Sequence, residues 1–573
     1  MDSASLRSTN SFTSDENLVT QRYGETPYGQ RSYANSHVSD QYSLAPDPTQ
    51  WGAILSPSLK EDDDSLHAPD PRTMKRGQPI EFSRRGIENL GCLALLLIAL
   101  VGLFAGYPLI SYFTKPHLSR LGGFNIGGTN ASGQIADIGN YGLIDKDTPQ
   151  EVYTKTGWED GSEMELVFSD EFNVEGRTFY PGDDPYWEAS DLWYGVTADL
   201  EWYDPSAITT KDGYLQITMS KKDTHELQYQ SGQMTSWNKF CFTGGYIEVN
   251  VSLPGFSDVS GFWPAVWTMG NLGRAGYSAS TDGTWPYTYD FCDVGTLANQ
   301  TKDGLPENAL IQGDNSRGGQ LSVLPGQRLS RCTCTGESHP GPMHEDGTYV
   351  GRGAPEIDIF EAQITITDDV GIGEVSQSAQ WAPFNFGYEW FNTSENLIIA
   401  DSAISQQNSY TGSAIQQATS IVTKTDQNCY TSETGCFSIY GFEYKPGFDD
   451  AYITWISDNK VAWTAKAGGF AADSRVEIHD RPIPQEPMYI IMNFGMSPGF
   501  QFVDFANLPF PATMLIDYVR VYQPKGSKNI GCDPPDFPTA KYINTYIDAY
   551  TNPNLTSWSN ISTFPKNNLI DQC

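Results

Sequence analysis

The sequence predicts an all-β protein: a large antiparallel β-sandwich behind a disordered N-terminal tail and one transmembrane helix. Three observations carry that reading. Aromatic residues make up 13% of the 573 residues against 18% charged ones, so most of the chain has a core to bury. Glycine (54) and proline (35) supply turns at short intervals. Between the turns, apolar residues recur with a period of two.

The strands follow from that period. In residues 214–220, Leu215, Ile217 and Met219 share one face, with Gln216 and Thr218 on the other. In 245–255, Ile247, Val249, Val251 and Leu253 oppose Tyr246, Glu248, Asn250 and Ser252. Residues 452–464 read as two strands joined near Asp458-Asn459, and the pattern continues to about residue 523. Lys211-Asp212-Gly213, Pro254-Gly255 and Lys445-Pro446-Gly447 mark turns. The sandwich is predicted over 160–525, with an insertion at about 271–350. Residues 114–159 read as a glycine-rich stalk or wrapping segment, and 526–573 as a disulfide-tied tail.

Residues 90–113 form 24 consecutive uncharged positions. As a helix they reach about 36 Å, enough for a hydrocarbon core of about 30 Å, with Pro108 near the far end. Arg72, Lys75, Arg76, Arg84 and Arg85 precede the span, and only Lys115 and Arg120 follow it closely. The positive-inside rule then keeps the N-terminus cytosolic, so the predicted topology is a single-pass type II signal-anchor. Residues 1–89 are polar and aperiodic and read as a disordered cytosolic tail, with sorting or regulatory partners. The net charge of −35 argues against nucleic acid as a partner.

Cysteine usage agrees with a lumenal or extracellular C-terminal part. Cys92 lies in the span, and Cys241, Cys292, Cys332, Cys334, Cys429, Cys436, Cys532 and Cys573 all follow it. An even set in an oxidising compartment reads as disulfides. Proximity suggests Cys429–Cys436, and terminal position suggests Cys532–Cys573. Disulfides are favoured over zinc at Cys332-x-Cys334 with His339 and His344. Sequons at Asn130, Asn299, Asn392, Asn554 and Asn560 also fall after the span; a sixth, Asn250, sits inside a strand pattern and is a poor acceptor.

The sharpest chemical feature is Glu356-Ile357-Asp358-Ile359-Phe360-Glu361. On a regular strand Glu356 and Asp358 share a face and Glu361 does not; one β-bulge between Asp358 and Glu361 brings all three together. The glutamate Cα atoms would stand roughly 13 Å apart, and side chains leaning inward approach the ~5–5.5 Å of a retaining glycosidase. One carboxylate then attacks the anomeric carbon, the other protonates the leaving oxygen and later acts as base, and the third acid holds their pKa values apart. Taken alone, such a triplet is more often a solvated acidic face or a calcium site.

Its context weighs against that. Gly261-Phe262-Trp263-Pro264-Ala265-Val266-Trp267 stands upstream, Ser169-Asp170-Glu171-Phe172-Asn173 opens the domain, Asn493 lies in a late strand and Asp517-Tyr518-Val519-Arg520-Val521-Tyr522 closes it. Together with the acidic triplet these closely resemble glycoside hydrolase family 16, the laminarinase-like, concanavalin A-like jelly rolls. With the tail, the anchor and the cysteine-bearing insertion, the whole layout resembles the fungal β-1,6-glucan synthesis-associated membrane proteins. The resemblance implies Glu356 as nucleophile, Asp358 as assisting acid and Glu361 as acid/base. It implies a β-glucan substrate, a role in cell-wall assembly in the secretory pathway, no required cofactor, and at most a structural Ca²⁺ near Asp517. The insertion, longer than in laminarinases, is expected to roof or reshape the cleft. Trp381 is the first expected sugar platform, then Trp263, with Trp267 and Trp390 balanced between platform and core. A non-catalytic glucan-binding scaffold is the main alternative; a sugar-nucleotide synthase is weaker, since no phosphate cradle is evident.

Overall fold

The period-two segments close into two antiparallel sheets. The computed structural model describes residues 84–107, 109–110, 142–311, 313, 315–383 and 389–573. Residues 1–83 of the expected 1–89 tail, Pro108, Asn130 and residues 114–141 of the expected 114–159 stalk lie outside these residues, and the last six residues of the expected tail are helical. Residues 1–114 and 115–573 are separate units.

In the first unit, the helix Arg84–Val101 runs on into a π-helical turn, Gly102–Gly106. Its stretch Glu88–Gly106, with mean hydropathy 2.3 and none of it buried by the chain, is long and apolar enough to cross a membrane.

In the second unit, one sheet is ordered Thr154–Thr156, Glu163–Asp170, Ala512–Pro524, Gly245–Ser252, Ser438–Lys445, Tyr452–Ser457, Lys460–Lys466 and Leu397–Ile399. The other is ordered Ser405–Gln407, Gln416–Lys424, Val370–Trp381, Glu356–Thr367, Trp263–Gly270, Met488–Gly495, Gln233–Thr235 and Glu188–Ala189. The core lies between them: Ile247, Val249 and Val251 from the first sheet meet Ile357, Ile359 and Phe360 from the second. The two ends of the domain are tied by Arg520, which donates to Glu171 through Nε (2.9 Å) and Nη2 (2.7 Å) in a buried fork.

The insertion and the C-terminal tail fold together. Leu272, Ala279 and Leu329 of the insertion share a buried cluster with Tyr542, Tyr550 and Trp558 of the tail. The guanidinium of Arg328 sits 3.5 Å over the Trp558 ring and donates to the carbonyls of Ser280 and Asp282. The four disulfides are Cys241–Cys532, Cys292–Cys332, Cys334–Cys573 and Cys429–Cys436. The expected Cys532–Cys573 pair is therefore corrected. Residue 531 hydrogen-bonds to the carbonyl of Cys241, which sets Cys532 beside it, whereas residues 566–568 run along 332–334 and carry Cys573 to Cys334. With Cys332 and Cys334 both in disulfides, no thiolate there is free to bind zinc. Asn392, Asn554 and Asn560 are exposed and Asn299 is half-buried; Asn250 donates to Asp517 Oδ2 at 3.0 Å.

Candidate active site

The strand Glu356–Thr367 sets the acids. Its register against both neighbours shifts between Asp358 and Glu361, where Val266 faces Phe360 and Trp267 faces Asp358. Ile359 and Phe360 consequently both point into the core, and Glu361 emerges on the face of Glu356 and Asp358. All three line a cleft of about 720 Å³ on the outer side of that sheet.

Each acid has its own donors. Trp285 Nε1 donates to Glu356 Oε2 at 2.6 Å, and Trp263 Nε1 to Glu361 Oε1 at 3.0 Å. Asp358 Oδ2 accepts from Ser378 Oγ (2.7 Å) and Gln380 Nε2 (3.2 Å), and Asp358 is hydrogen-bonded to Glu356. Among the described residues, no lysine, arginine or histidine lines the cleft. Burial therefore dominates and raises all three pKa values: Glu361 to about 8, Asp358 to about 6, and Glu356 well above its ordinary value, with the charges of Asp358 and Glu361 adding to it. Of the two acids with a stated value, Glu361 therefore holds its proton to a higher pH than Asp358 does. The arrangement offers an acid and a carboxylate to one small space.

The tryptophans divide. Trp263 lines the cleft and stacks on Phe500, 4.2 Å away and 2° from parallel. Trp267 lines the floor; its Nε1 donates to Asn493 Oδ1 at 2.7 Å, and Asn493, itself in the lining, donates to Tyr203. Trp381 and Trp390 are corrected to core residues. Ser376, Ser378 and Gln380 take the cleft face of their strand, so Trp381 turns inward; it is 0% exposed, donates to Thr419 and stacks on Phe470. Trp390, 5% exposed, stacks on Phe470 from 5.4 Å.

Sequence reasoning passed over several lining residues: Ser378, Gln380, Phe500, Tyr410, Asp199, and above all Trp285 as the partner of Glu356. The alternation Ser376, Ser378, Gln380 was a usable signal for the first two. Trp285 carried none, because it reaches Glu356 from the insertion, whose Ser278 and Thr281 also line the cleft. The insertion thus contributes Gly276, Ser278, Thr281 and Trp285 to the lining of the cleft.

Comparison with known proteins places the chain in a family. Residues 53–573 match the family model for "Beta-glucan synthesis-associated protein SKN1/KRE6/Sbg1". The chain belongs to this family. It is 41% identical over 528 residues to the beta-glucan synthesis-associated protein KRE6 of Saccharomyces cerevisiae, covering 90% of this chain and 69% of that protein. It is 27% identical over 262 residues to the endo-1,3-1,4-beta-glycanase EglC of Rhizobium meliloti, covering 39% of this chain and 51% of that one. Among solved structures, the catalytic domain of an endo-1,3-beta-glucanase (laminarinase) from Thermotoga petrophila covers 64% of this chain and 100% of its own, at 19% identity and a TM-score of 0.35. Family membership associates the chain with β-glucan synthesis; what its carboxyls do is a separate matter.

Proposed function

We propose that the chain is a membrane-anchored, retaining β-glucan-active glycosidase or transglycosylase working in fungal cell-wall β-1,6-glucan biosynthesis. The observation that carries this reading is the presence of Glu356 and Glu361 on one cleft face, each held by a different indole N–H, with Asp358 between them. A β-glucan segment lies across the cleft with a pyranose ring on Trp263. Glu361 gives its proton to the glycosidic oxygen as the carboxylate of Glu356 attacks the anomeric carbon. The C–O bond to the leaving sugar breaks and a glycosyl–Glu356 ester forms. Glu361, now a carboxylate, deprotonates water or an incoming sugar hydroxyl, which displaces Glu356 with net retention. No cofactor enters these steps; a Ca²⁺ near Asp517 would be structural. The helix anchors the domain in a secretory-pathway membrane with the cleft on the lumenal or extracellular side, which suits the four disulfides.

The test is incubation of the purified chain, and of Glu356→Gln, with defined β-1,3- and β-1,6-gluco-oligosaccharides, followed by mass spectrometry. Shorter products mean hydrolysis and longer ones transfer. Full activity in Glu356→Gln would overturn the assignment. A second reading, a glucan-binding scaffold, is favoured by the insertion wall closing on Glu356 through Trp285. It predicts glucan binding without turnover, and normal wall assembly in cells carrying Glu356→Gln and Glu361→Gln.

A further inference from the structure

Two tryptophans stand outside the cleft on a small sheet of their own. Strands Leu192–Trp193 and Glu201–Tyr203 pair antiparallel, with Tyr229–Ser231 running parallel to the second. In that register Leu192 faces Tyr203, and both are buried. Trp193 faces Trp202 on the opposite side of the ribbon. Trp193 is 48% exposed. Trp202 is half-buried, with the His225 ring 4.2 Å away.

Both indole N–H groups are taken. Trp193 Nε1 donates to the carbonyl of Asp199 at 2.7 Å, and Trp202 Nε1 to Asp191 Oδ1 at 2.8 Å. The rings are thereby oriented, and what they offer is their apolar faces. Gly195 packs against Trp193, where an added Cβ would stand 3.0 Å from a ring carbon, which leaves the exposed area of that indole on its other side. Asp191 is exposed and retains acceptor capacity beyond Trp202. Tyr180 lies close enough to Asp183, Asp191 and Asp204 for their charges to act on its hydroxyl.

This combination selects a ligand. Acid-rimmed aromatics repel anionic lipid and nucleic acid. A neutral hexopyranose chain fits them: its axial C–H faces stack on indoles and its hydroxyls donate to carboxylates. The patch is also joined to the cleft. Residues 194–200 connect the two strands, and Tyr194, Val196, Thr197, Ala198 and Asp199 line the cleft wall, so one hairpin presents the cleft on one side and the tryptophan pair on the other.

We propose that Trp193 and Trp202 form a second carbohydrate platform, outside the cleft, that holds a β-glucan chain at its rim. The proposal rests on the substrate class given above but not on turnover. It is tested in the full chain carrying Glu356→Gln, so that no sugar is consumed. Binding to soluble β-1,3- and β-1,6-glucan polymers is read by affinity electrophoresis, and binding to a trisaccharide by calorimetry. Trp193→Ala and Trp202→Ala each weaken polymer binding about three- to tenfold, and leave trisaccharide binding unchanged. Trp193→Phe, which keeps a ring, retains most of the affinity. In the chain without tryptophan changes, hydrogen exchange over 192–203 slows with polymer and not with trisaccharide. Unchanged polymer binding in the double variant overturns the proposal. So does an equal loss for polymer and trisaccharide, which would mean that the change acts through the 194–200 loop, and so does the absence of any glucan binding. Polymer binding that depends on Trp193, in a chain that turns over no glucan, would break the catalytic reading and leave the platform standing.

Discussion

Two groups of buried carboxyls sit beside the same cleft, and they are built differently. Glu356, Asp358 and Glu361 face the open space, and the two glutamates are half-buried against indole N–H groups. Asp199 and Glu201, on the neighbouring ribbon, are 4% and 0% exposed. Asp199 accepts from Thr197 Oγ1 (2.6 Å) and Tyr203 OH (3.0 Å), and Glu201 from the backbone N–H of Met496 (3.1 Å). Burial is the leading cause of a raised pKa in both groups, and Asp199 and Asp358 each reach about 6. A raised pKa therefore does not distinguish a reacting acid from a structural one. Access does: Glu201 is sealed beneath the wall, while Glu356 and Glu361 open onto the cleft.

The largest expected effect tests that distinction directly. Glu356→Gln and Glu361→Gln each lower glucan turnover by about 10³-fold, whereas Glu201→Gln stays within about threefold of the parent, as any group that meets no substrate should. A Glu201→Gln chain as slow as Glu356→Gln would erase the difference between the groups.

The pH profile sharpens it. In the proposed mechanism turnover needs a charge on the Glu356–Asp358 pair and a proton on Glu361, so its limbs are expected near 6 and 8. Steady-state rates across that range, with Glu201→Gln showing the same limbs, are the check.

Smaller shifts separate the two indoles. The Trp285 N–H favours ionised Glu356, so Trp285→Phe moves the acid limb upward. The Trp263 N–H favours ionised Glu361, so Trp263→Phe moves the alkaline limb upward and also weakens sugar binding. Movement of the same limb by both would refute the separate assignments.

The smallest effect is on stability. Glu201 has a folded pKa well above its ordinary 4.5. Above pH 4.5 the unfolded chain releases a proton that the folded chain holds, so this group favours folding less as pH rises toward its folded pKa. Glu201→Gln removes that loss. Its melting temperature should exceed the parent's by a few degrees at pH 8, and the gain should vanish at pH 4.

The legible parts of the site were those governed by local backbone geometry. Parity alone demanded a bulge between Asp358 and Glu361, and the register shifts there. The same parity, applied to 376–381, turns Trp381 into the core and Gln380 toward the cleft, against the expected sugar platform at Trp381. Cys429–Cys436, seven residues apart, was legible from proximity, and the other three pairings were not.

By itself, the sequence determined the strands, the apolar span, the alternation that buries Ile357 while presenting Glu356 and Asp358, and the bulge that adds Glu361. Each follows from the handedness and period of a few adjacent residues. Only the tertiary structure decided that Trp285 meets Glu356 across 71 positions, that Cys241 meets Cys532 across 291, and that the tail braces the insertion forming the cleft wall. Those contacts depend on how separately formed pieces pack, and no local period encodes the meeting of two surfaces so far apart in the chain.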